Sequence, residues 1–285
     1  MTTNISIILP SRNEAKSLSS LLPDLKSRYP TAEIIVVNDH SSDDTEKVVM
    51  KNDVITINHP YRMGNGAAIK TGARAASGDT LVFMDADGQH QPNNIHDLLS
   101  GIDAGYDMVV GCRENKAQAN LLRLIVNKFY NFLASWITSH NIKDLTSGFR
   151  AVNAKRFKEF LHLLPNGFSY PTTITMAFFR TGYSVDYVPV DVQPRIGLSH
   201  IRPLKDGVGF LLIIFKIGTL YSPLKFYVPI SILIFMTGIS YYMYTFFTQG
   251  RFTNMSALLL TTSLLIFFIG IVSEQLTMLY YRDEK

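Results

Sequence analysis

The chain's 285 residues leave room for about two domains. Lys plus Arg number 27 against 23 Asp plus Glu, and a net charge of +4 lacks the concentrated basic face of a nucleic-acid binder, so no nucleic-acid partner is expected. Hydrophobic residues reach 47% with only 18% charged, which excludes disorder as the dominant state, and the single Cys112 excludes an intrachain disulfide or a cysteine-cluster zinc site and fits a reducing compartment.

In chain order, residues 1–200 alternate short β-rich runs with helical patterns. Strands are predicted at Ile5–Leu9, Glu33–Asn38, Val54–Asn58, Thr80–Met84 and Met108–Gly111, with helices near 14–28, 43–51, 66–76 and 93–104. The chain starts directly on the first strand, without a basic segment and apolar run before it, so no signal peptide is expected. Strand–helix alternation implies an α/β domain with a parallel sheet covered on both faces. Ligands of such sheets bind beyond the carboxyl ends of the strands. The polar clusters Pro10–Glu14, Asn38–Asp43 and Asp85–Gln89 fall at those ends.

Residues 201–222 read as an amphipathic juxtamembrane segment. Within it, the apolar run from Pro203 to Tyr221 is interrupted by Lys205, Asp206 and Lys216, a pattern that suits a helix lying at the membrane interface or a core helix. Beyond it, no charged residue occurs from Phe226 to Gly250 or from Phe252 to Ser273. A spanning helix needs about 20 mainly apolar residues, so two transmembrane helices are predicted, near 225–247 and 255–280, within a membrane segment 223–285. Lys205, Lys216 and Lys225 precede the pair, Arg282 and Lys285 follow it, and the joining loop has only Arg251. The positive-inside rule then puts the domain and both termini in the cytoplasm. Tyr241, Tyr242, Tyr244, Tyr280 and Tyr281 fit an aromatic belt. Glu274, costly in lipid, is expected to face the other helix or sit near the interface.

Asp85-Ala86-Asp87 closes the run Leu81-Val82-Phe83-Met84. In extended chain, residues i and i+2 share a face, so two carboxylates point the same way with Gln89 just beyond. Like charges that close repel unless a cation sits between them, and a hard ion such as Mg²⁺ or Mn²⁺ bridging substrate phosphates suits an oxygen-only set. The rival reading is a solvated turn. Asn38-Asp39-His40-Ser41-Ser42-Asp43 offers Asp39 as a hydrogen-bonding group for a nucleoside, with Ser42 or Asp43 as the cap of the next helix. The glycines of Gly64-Asn65-Gly66 would let backbone approach a ligand closely. His90 reads as a residue at the start of the next helix, before Pro92, and Trp136 as packing within the apolar stretch Phe129–Ile137.

Together these segments resemble the inverting family-2 glycosyltransferases with a GT-A fold. Asp144-Leu145-Thr146-Ser147-Gly148-Phe149-Arg150 and Pro194-Arg195-Ile196-Gly197-Leu198-Ser199 extend the resemblance to the polyprenyl-phosphate branch that includes dolichol-phosphate mannose synthase. The resemblance implies that Pro10, Arg12, Glu14, Val37, Asp39, Ser41 and Gly64 hold the nucleotide. Asp85, Asp87 and Gln89 would bind Mg²⁺ or Mn²⁺ and the sugar diphosphate, with Asp87 and Arg195 as the catalytic pair. Arg113, Arg123, Asn127, Ser147, Arg150 and Ser199 would meet the acceptor phosphate. Three positions depart from the family pattern: Asn38 replaces the first Asp of an Asp-Asp pair, His200 stands where relatives often have Lys, and Asn127 where they often have Ser.

The reaction so implied moves a sugar from a nucleotide-diphosphate sugar to a polyprenyl phosphate, undecaprenyl or dolichyl, whose tail stays in the lipid bilayer. The alternatives are a processive polysaccharide synthase and a non-catalytic membrane scaffold. The first normally carries a Gln-x-x-Arg-Trp element, yet the only tryptophan here is Trp136; the second sits poorly with Asp85, Asp87 and Arg195 together. Assembly as a homo-oligomer is left open.

Overall fold

In the computed structural model, the described residues are 4–113, 121–167, 169–193, 212, 214–216, 218–220 and 222–282, without the side chains of 121–127 and 280–282. They form two compact units, an α/β body and a hairpin unit comprising Ile137–Ser139 and the chain from Phe215 onward.

The body is built on β1 (Ile5–Ser11), β2 (Glu33–Asn38), β3 (Ile55–Asn58), β4 (Thr80–Phe83), β5 (Met108–Arg113), β6 (Arg150–Asn153) and β7 (Val185–Val190), in the order β3-β2-β1-β4-β6-β5-β7. All pairings are parallel except those of β6, which runs antiparallel to both β4 and β5. Helices α1 (Ala15–Arg28), α2 (Thr45–Lys51), α3 (Asn65–Ala75) and α4 (Ile95–Asp103) alternate with the first strands as predicted, and a short 3-10 turn at Pro92–Asn94 precedes α4. Helices α5 (Leu121–Thr138), α6 (Ala154–Glu159) and α7 (Tyr170–Thr181), with β6 and β7, complete the body.

Strand periodicity sorts the core into two layers. Ile7 and Leu9 of β1 join Leu18, Leu21, Leu22 and Leu25 of α1 and Leu98 of α4 in one cluster. Ile8 faces the other way, so close to α3 that a Cβ on Gly72 would lie 2.4 Å from its Cγ2. Phe83 packs there against Phe157 of α6, the rings tilted by 40°, and meets Tyr170 of α7 edge-on. Each fully buried aliphatic or aromatic side chain contributes about 1.5–3 kcal/mol.

β6 lies between β4 and β5, which separates Arg113 at the end of β5 from the strand that leads to Asp85. Four residues pairing antiparallel on both sides carry too short a pattern to register as a strand in sequence. The strand order still reverses between β1 and β4, and such a reversal opens a crevice at the carboxyl ends. The loops after β1 and β4 therefore flank one cleft.

In the hairpin unit, α8 (Pro223–Gln249) and α9 (Asn254–Arg282) have 27 and 29 residues. At about 1.5 Å per residue either exceeds the roughly 30 Å hydrocarbon core of a bilayer. Their shared face carries Ser231, Gly238 and Thr245 on α8 and Ser256, Ser263 and Gly270 on α9, spaced by seven and all buried. Small residues let the backbones close up: Ser231 Oγ donates to Ser263 O at 3.0 Å, and a Cβ on Gly270 would come within 2.7 Å of Tyr227. Glu274 faces the other helix as expected, its Oε2 accepting the first-turn Leu224 N–H of α8 at 3.4 Å. The segment expected to lie at the interface falls largely outside the described residues; 212, 214–216 and 218–220 are helical. Trp136 is 42% exposed, on the same side of α5 as the more exposed Phe129 and Phe132.

Candidate active site

Pro10 and Val37 lie side by side in the β1–β2 register and both are buried. Val37 packs under α3 at Gly72 and is fully buried, so Pro10 and Val37 form a floor beneath the loops that follow β1 and β2. The loops above this floor are interlocked. Asn13, in the left-handed region at φ +56, donates its N–H to Ser41 Oγ at 2.9 Å and accepts the Ser42 N–H at 2.8 Å. Ser41, a predicted nucleotide ligand, thus holds the loop after β1. Of Ser42 and Asp43, the two expected caps of α2, it is Asp43 that accepts from Thr45 N and Oγ1 at that helix, and it also accepts from Ala15 N at the start of α1. Burial pushes its carboxyl up, but these donors outweigh burial and hold it below the usual range. Asn38 donates to Asn58 Oδ1 at 2.9 Å, a bond that an aspartate there could not make.

Asp39 is nearly fully buried. Its Oδ1 faces His59 Nδ1 at 2.8 Å and accepts the Met63 N–H at 2.7 Å, and Oδ2 accepts the Gly64 N–H at 2.9 Å. Burial raises its pKa, while these bonds together lower it below the ordinary carboxylate value. Gly64 has φ +103, and a Cβ there would meet Asn166 O at 2.4 Å. The expectation for the Gly-Asn-Gly segment is therefore corrected: its glycines admit the protein's own loop, and the first N–H groups of α3 are taken by Gly167 O and Asn166 O.

The acidic pair sits in a turn beyond β4 rather than in extended chain, so the alternation argument does not apply to it. Gly88 at φ +76 closes the turn, Asp87 Oδ1 accepts the Gln89 N–H at 3.1 Å, and Ser17 Oγ fastens Ala86 O to α1. Asp85 approaches Gly148 so closely that a Cβ there would lie 3.2 Å from Oδ2. Among the described residues no three His, Cys, Asp or Glu side chains converge. Two carboxylates on one tight turn suit Mg²⁺ or Mn²⁺, whose remaining positions substrate phosphates and water fill.

Behind the turn, Arg113 forks on to Asp144, Nε to Oδ2 at 2.9 Å and Nη2 to Oδ1 at 3.1 Å, and Nη2 also reaches Thr146 Oγ1 at 2.6 Å. Burial alone would raise Asp144, but the guanidinium holds it below the usual range. Ser147 is buried, and its Oγ has no hydrogen-bond partner among the described residues. His90 stacks on Phe149 with ring centroids 4.6 Å apart. Burial, with Arg113 nearby, pushes its pKa down to about 4, so the ring is neutral near pH 7.

Arg150 was expected at the acceptor phosphate, but it is 0% exposed. It donates to Ser147 O and to Thr175 Oγ1 and lies over the Tyr170 ring, while Tyr170 donates to Gly148 O at 3.1 Å. Arg150 is thus a buried prop beneath the Ser147–Gly148 bend. Arg123 and Asn127 lie on α5 with side chains outside the description, and Arg195 and Ser199 fall outside the described residues altogether. The chain leading to Arg195 is nevertheless tied to the acidic turn, since the Gln193 N–H donates to Gln89 O at 2.9 Å.

His59, Thr71 and Asp144 are positions to which the sequence reading assigned no role. The available signal was register: Asn38 pairs with Asn58, which makes Asp39 and His59 neighbours.

The sheet order, with an acidic turn at its reversal point, defines a nucleotide-sugar transferase architecture of the GT-A type. The chain belongs to glycosyl transferase family 2, whose model matches residues 6–161, and its end matches the GtrB C-terminal hairpin over residues 222–279. It is 28% identical to the polyprenol monophosphomannose synthase of Mycolicibacterium smegmatis (strain ATCC 700084 / mc(2)155), over 70% of this chain and 82% of that one. It is 32% identical to the undecaprenyl-phosphate 4-deoxy-4-formamido-L-arabinose transferase of Proteus mirabilis (strain HI4320), over 52% of this chain and 48% of that one. In fold it is similar to glucosyl-3-phosphoglycerate synthase from Mycobacterium tuberculosis in complex with Mn²⁺, UDP and phosphoglyceric acid. The TM-score is 0.61 at 21% identity, over 76% of this chain and 79% of that one.

Proposed function

We propose that the protein transfers a sugar from a nucleotide-diphosphate sugar to the phosphate of a membrane-held polyprenol, with inversion at the anomeric carbon. The observation that carries the reading is one chain holding both the acidic turn at the sheet's reversal point and a C-terminal hairpin long and apolar enough to cross a bilayer. Family membership and the two polyprenyl-phosphate relatives support the acceptor.

In this reading the floor formed by Pro10 and Val37, with Arg12, Glu14 and Asp39 around it, seats the nucleoside. Asp85, Asp87 and Gln89 hold the divalent cation, which when bound supplies positive charge against the departing diphosphate. The acceptor phosphate has largely lost its second proton near pH 7, since that pKa lies near 6, so it needs little help from a general base. One of its oxygens bonds to the anomeric carbon as the bond from that carbon to the diphosphate oxygen breaks. The protein's work is placement and charge. Arg113, Arg123 and Arg195 are suited to phosphate oxygens through their planar forks. Arg113 does so while already paired to Asp144, whereas Arg150 acts from below as a prop.

The test is transfer by the full chain, assayed with a panel of nucleotide sugars and undecaprenyl and dolichyl phosphates as acceptors. Formation of a lipid-linked sugar is expected, and donor hydrolysis alone or no reaction with any pair would overturn the reading. The domain and termini are assigned to the cytoplasm. A cysteine at Gln249, with Cys112 replaced, should then react with an impermeant thiol reagent added outside intact cells; reaction only after permeabilisation would reverse the orientation.

A further inference from the structure

Asp39 is held by an assembly that the reaction chemistry does not require. His59 is buried, with both ring nitrogens engaged: Nδ1 lies 2.8 Å from Asp39 Oδ1 and Nε2 lies 3.0 Å from Thr71 Oγ1. An ionised carboxylate only accepts, so in the neutral ring the proton sits on Nδ1, and Nε2 accepts from the Thr71 hydroxyl. The backbone N–H of His59 also donates to Asn38 O at 2.9 Å, continuing the β2–β3 ladder. The ring therefore joins the end of β2, the end of β3 and the middle of α3.

The effect on Asp39 follows from counting acceptor sites. A carboxylate has about four. Oδ1 uses both of its sites, on His59 and on the Met63 N–H. Oδ2 uses one, on the Gly64 N–H. We propose that His59 is a positioning residue of the donor site: backed by Thr71, it occupies Asp39 Oδ1 and so leaves a single acceptor site, on Oδ2, directed at the nucleoside. Without the ring, Oδ1 loses a donor, the carboxylate can turn about its Cβ–Cγ bond, and the loop from Pro60 to Gly64 loses one of its anchors. The inference rests on the reading of Asp39 as a nucleoside ligand.

Calorimetry on the full chain in detergent, with UDP and separately GDP in the presence of Mn²⁺, tests it beside donor kinetics. Hydrogen bonds to a charged group are strong enough that His59→Ala should raise the Kd of the bound nucleotide, and the donor KM, about tenfold or more. kcat at saturating donor should change less than about threefold, because the ring does not touch the reacting atoms. His59→Asn, whose Nδ2 can stand where the ring Nδ1 stands, should recover most of the affinity. Thr71→Val should fall between them and serves as the readout if His59→Ala does not fold. Wild-type affinity in His59→Ala and Thr71→Val, with affinity lost in Asp39→Asn, would overturn the positioning role and leave the donor site intact. Wild-type affinity in Asp39→Asn would instead remove the nucleoside reading on which it rests. A fall in kcat alone, with Kd unchanged, would also overturn the role of His59.

Discussion

The two halves of the cleft are held together by different chemistry. On the β1–β2–β3 side, Asp39 and Asp43 are held by backbone N–H groups, a ring nitrogen and a threonine hydroxyl. On the β4–β6–β5 side, charge meets charge: Arg113 forks on to Asp144, and Arg150 is sealed beneath the bend that carries Ser147 and Gly148. In the first half each carboxylate is held by several neutral donors, so losing one donor strands no buried cation. The second depends on a nearly buried ion pair, and removing one partner strands the other.

The largest expected effect lies in the acidic turn. Asp87→Ala should lower turnover at least about a thousandfold, the scale of losing one preorganised electrostatic group, with little change in melting temperature. Transfer of radiolabelled sugar measures it, and undiminished transfer with chelator present would remove the metal assignment. Next comes the contrast in stability. Arg113→Ala leaves Asp144 in the interior without its cation and should destabilise the protein by about 3 kcal/mol, whereas Asp43→Ala should cost about 1 kcal/mol, like other lost caps. Thermal melts of the two variants decide it; equal losses would erase the distinction between the halves.

A smaller effect separates the arginines. Arg123→Ala is expected to raise the KM for polyprenyl phosphate about tenfold with nucleotide affinity nearly unchanged, as for one charge-assisted bond. Arg195→Ala is expected to lower kcat more. Loss of nucleotide affinity in Arg123→Ala with its acceptor response kept would exchange the two roles.

The smallest effect is acid sensitivity. Asp39, Asp43 and Asp144 all have folded pKa values below their unfolded ones. Their contribution to stability is then full above the unfolded pKa, near 4, and is lost as pH falls through the depressed folded values. Melting temperature should decline gently below about pH 6.5, where an unfolded histidine binds a proton that buried His90 does not take up until about pH 4, and fall more steeply below about pH 4 as the carboxylates titrate. Asp144→Asn should flatten that fall most if the ion-paired half dominates acid loss; an equal flattening by Asp43→Asn would assign acid loss to both halves alike.

Much of this protein is written in local pattern. The alternation of β1 to β5 with α1 to α4, the acidic pair at the end of β4 and the two uncharged apolar stretches were all legible, because periodicity and charge are local properties. β6 and β7 were not, because four residues between two neighbours, or six at a sheet edge, carry little periodic signal. Glu274 was legible as a residue too costly for lipid, bound to face the other helix or the interface; which group it meets, the first turn of α8, needed the two helices side by side.

The sequence by itself determined the α/β class, the membrane hairpin and the residue types needed for phosphate and cation chemistry. Only the tertiary structure decided which of those residues can use them. Arg113 and Arg150 look alike in sequence, yet antiparallel β6 puts one at the rim in a fork with Asp144 and seals the other against the Tyr170 ring. Gly64 and Gly66 look like a ligand cradle, yet the bend at Pro165–Gly167 fills it. His59 carries no motif of its own, yet the pairing of Asn38 with Asn58 sets it against Asp39. The reason is physical: a side chain's charge and size belong to the residue, while its burial and its partners are set by segments 20 to 96 residues away that only folding brings together.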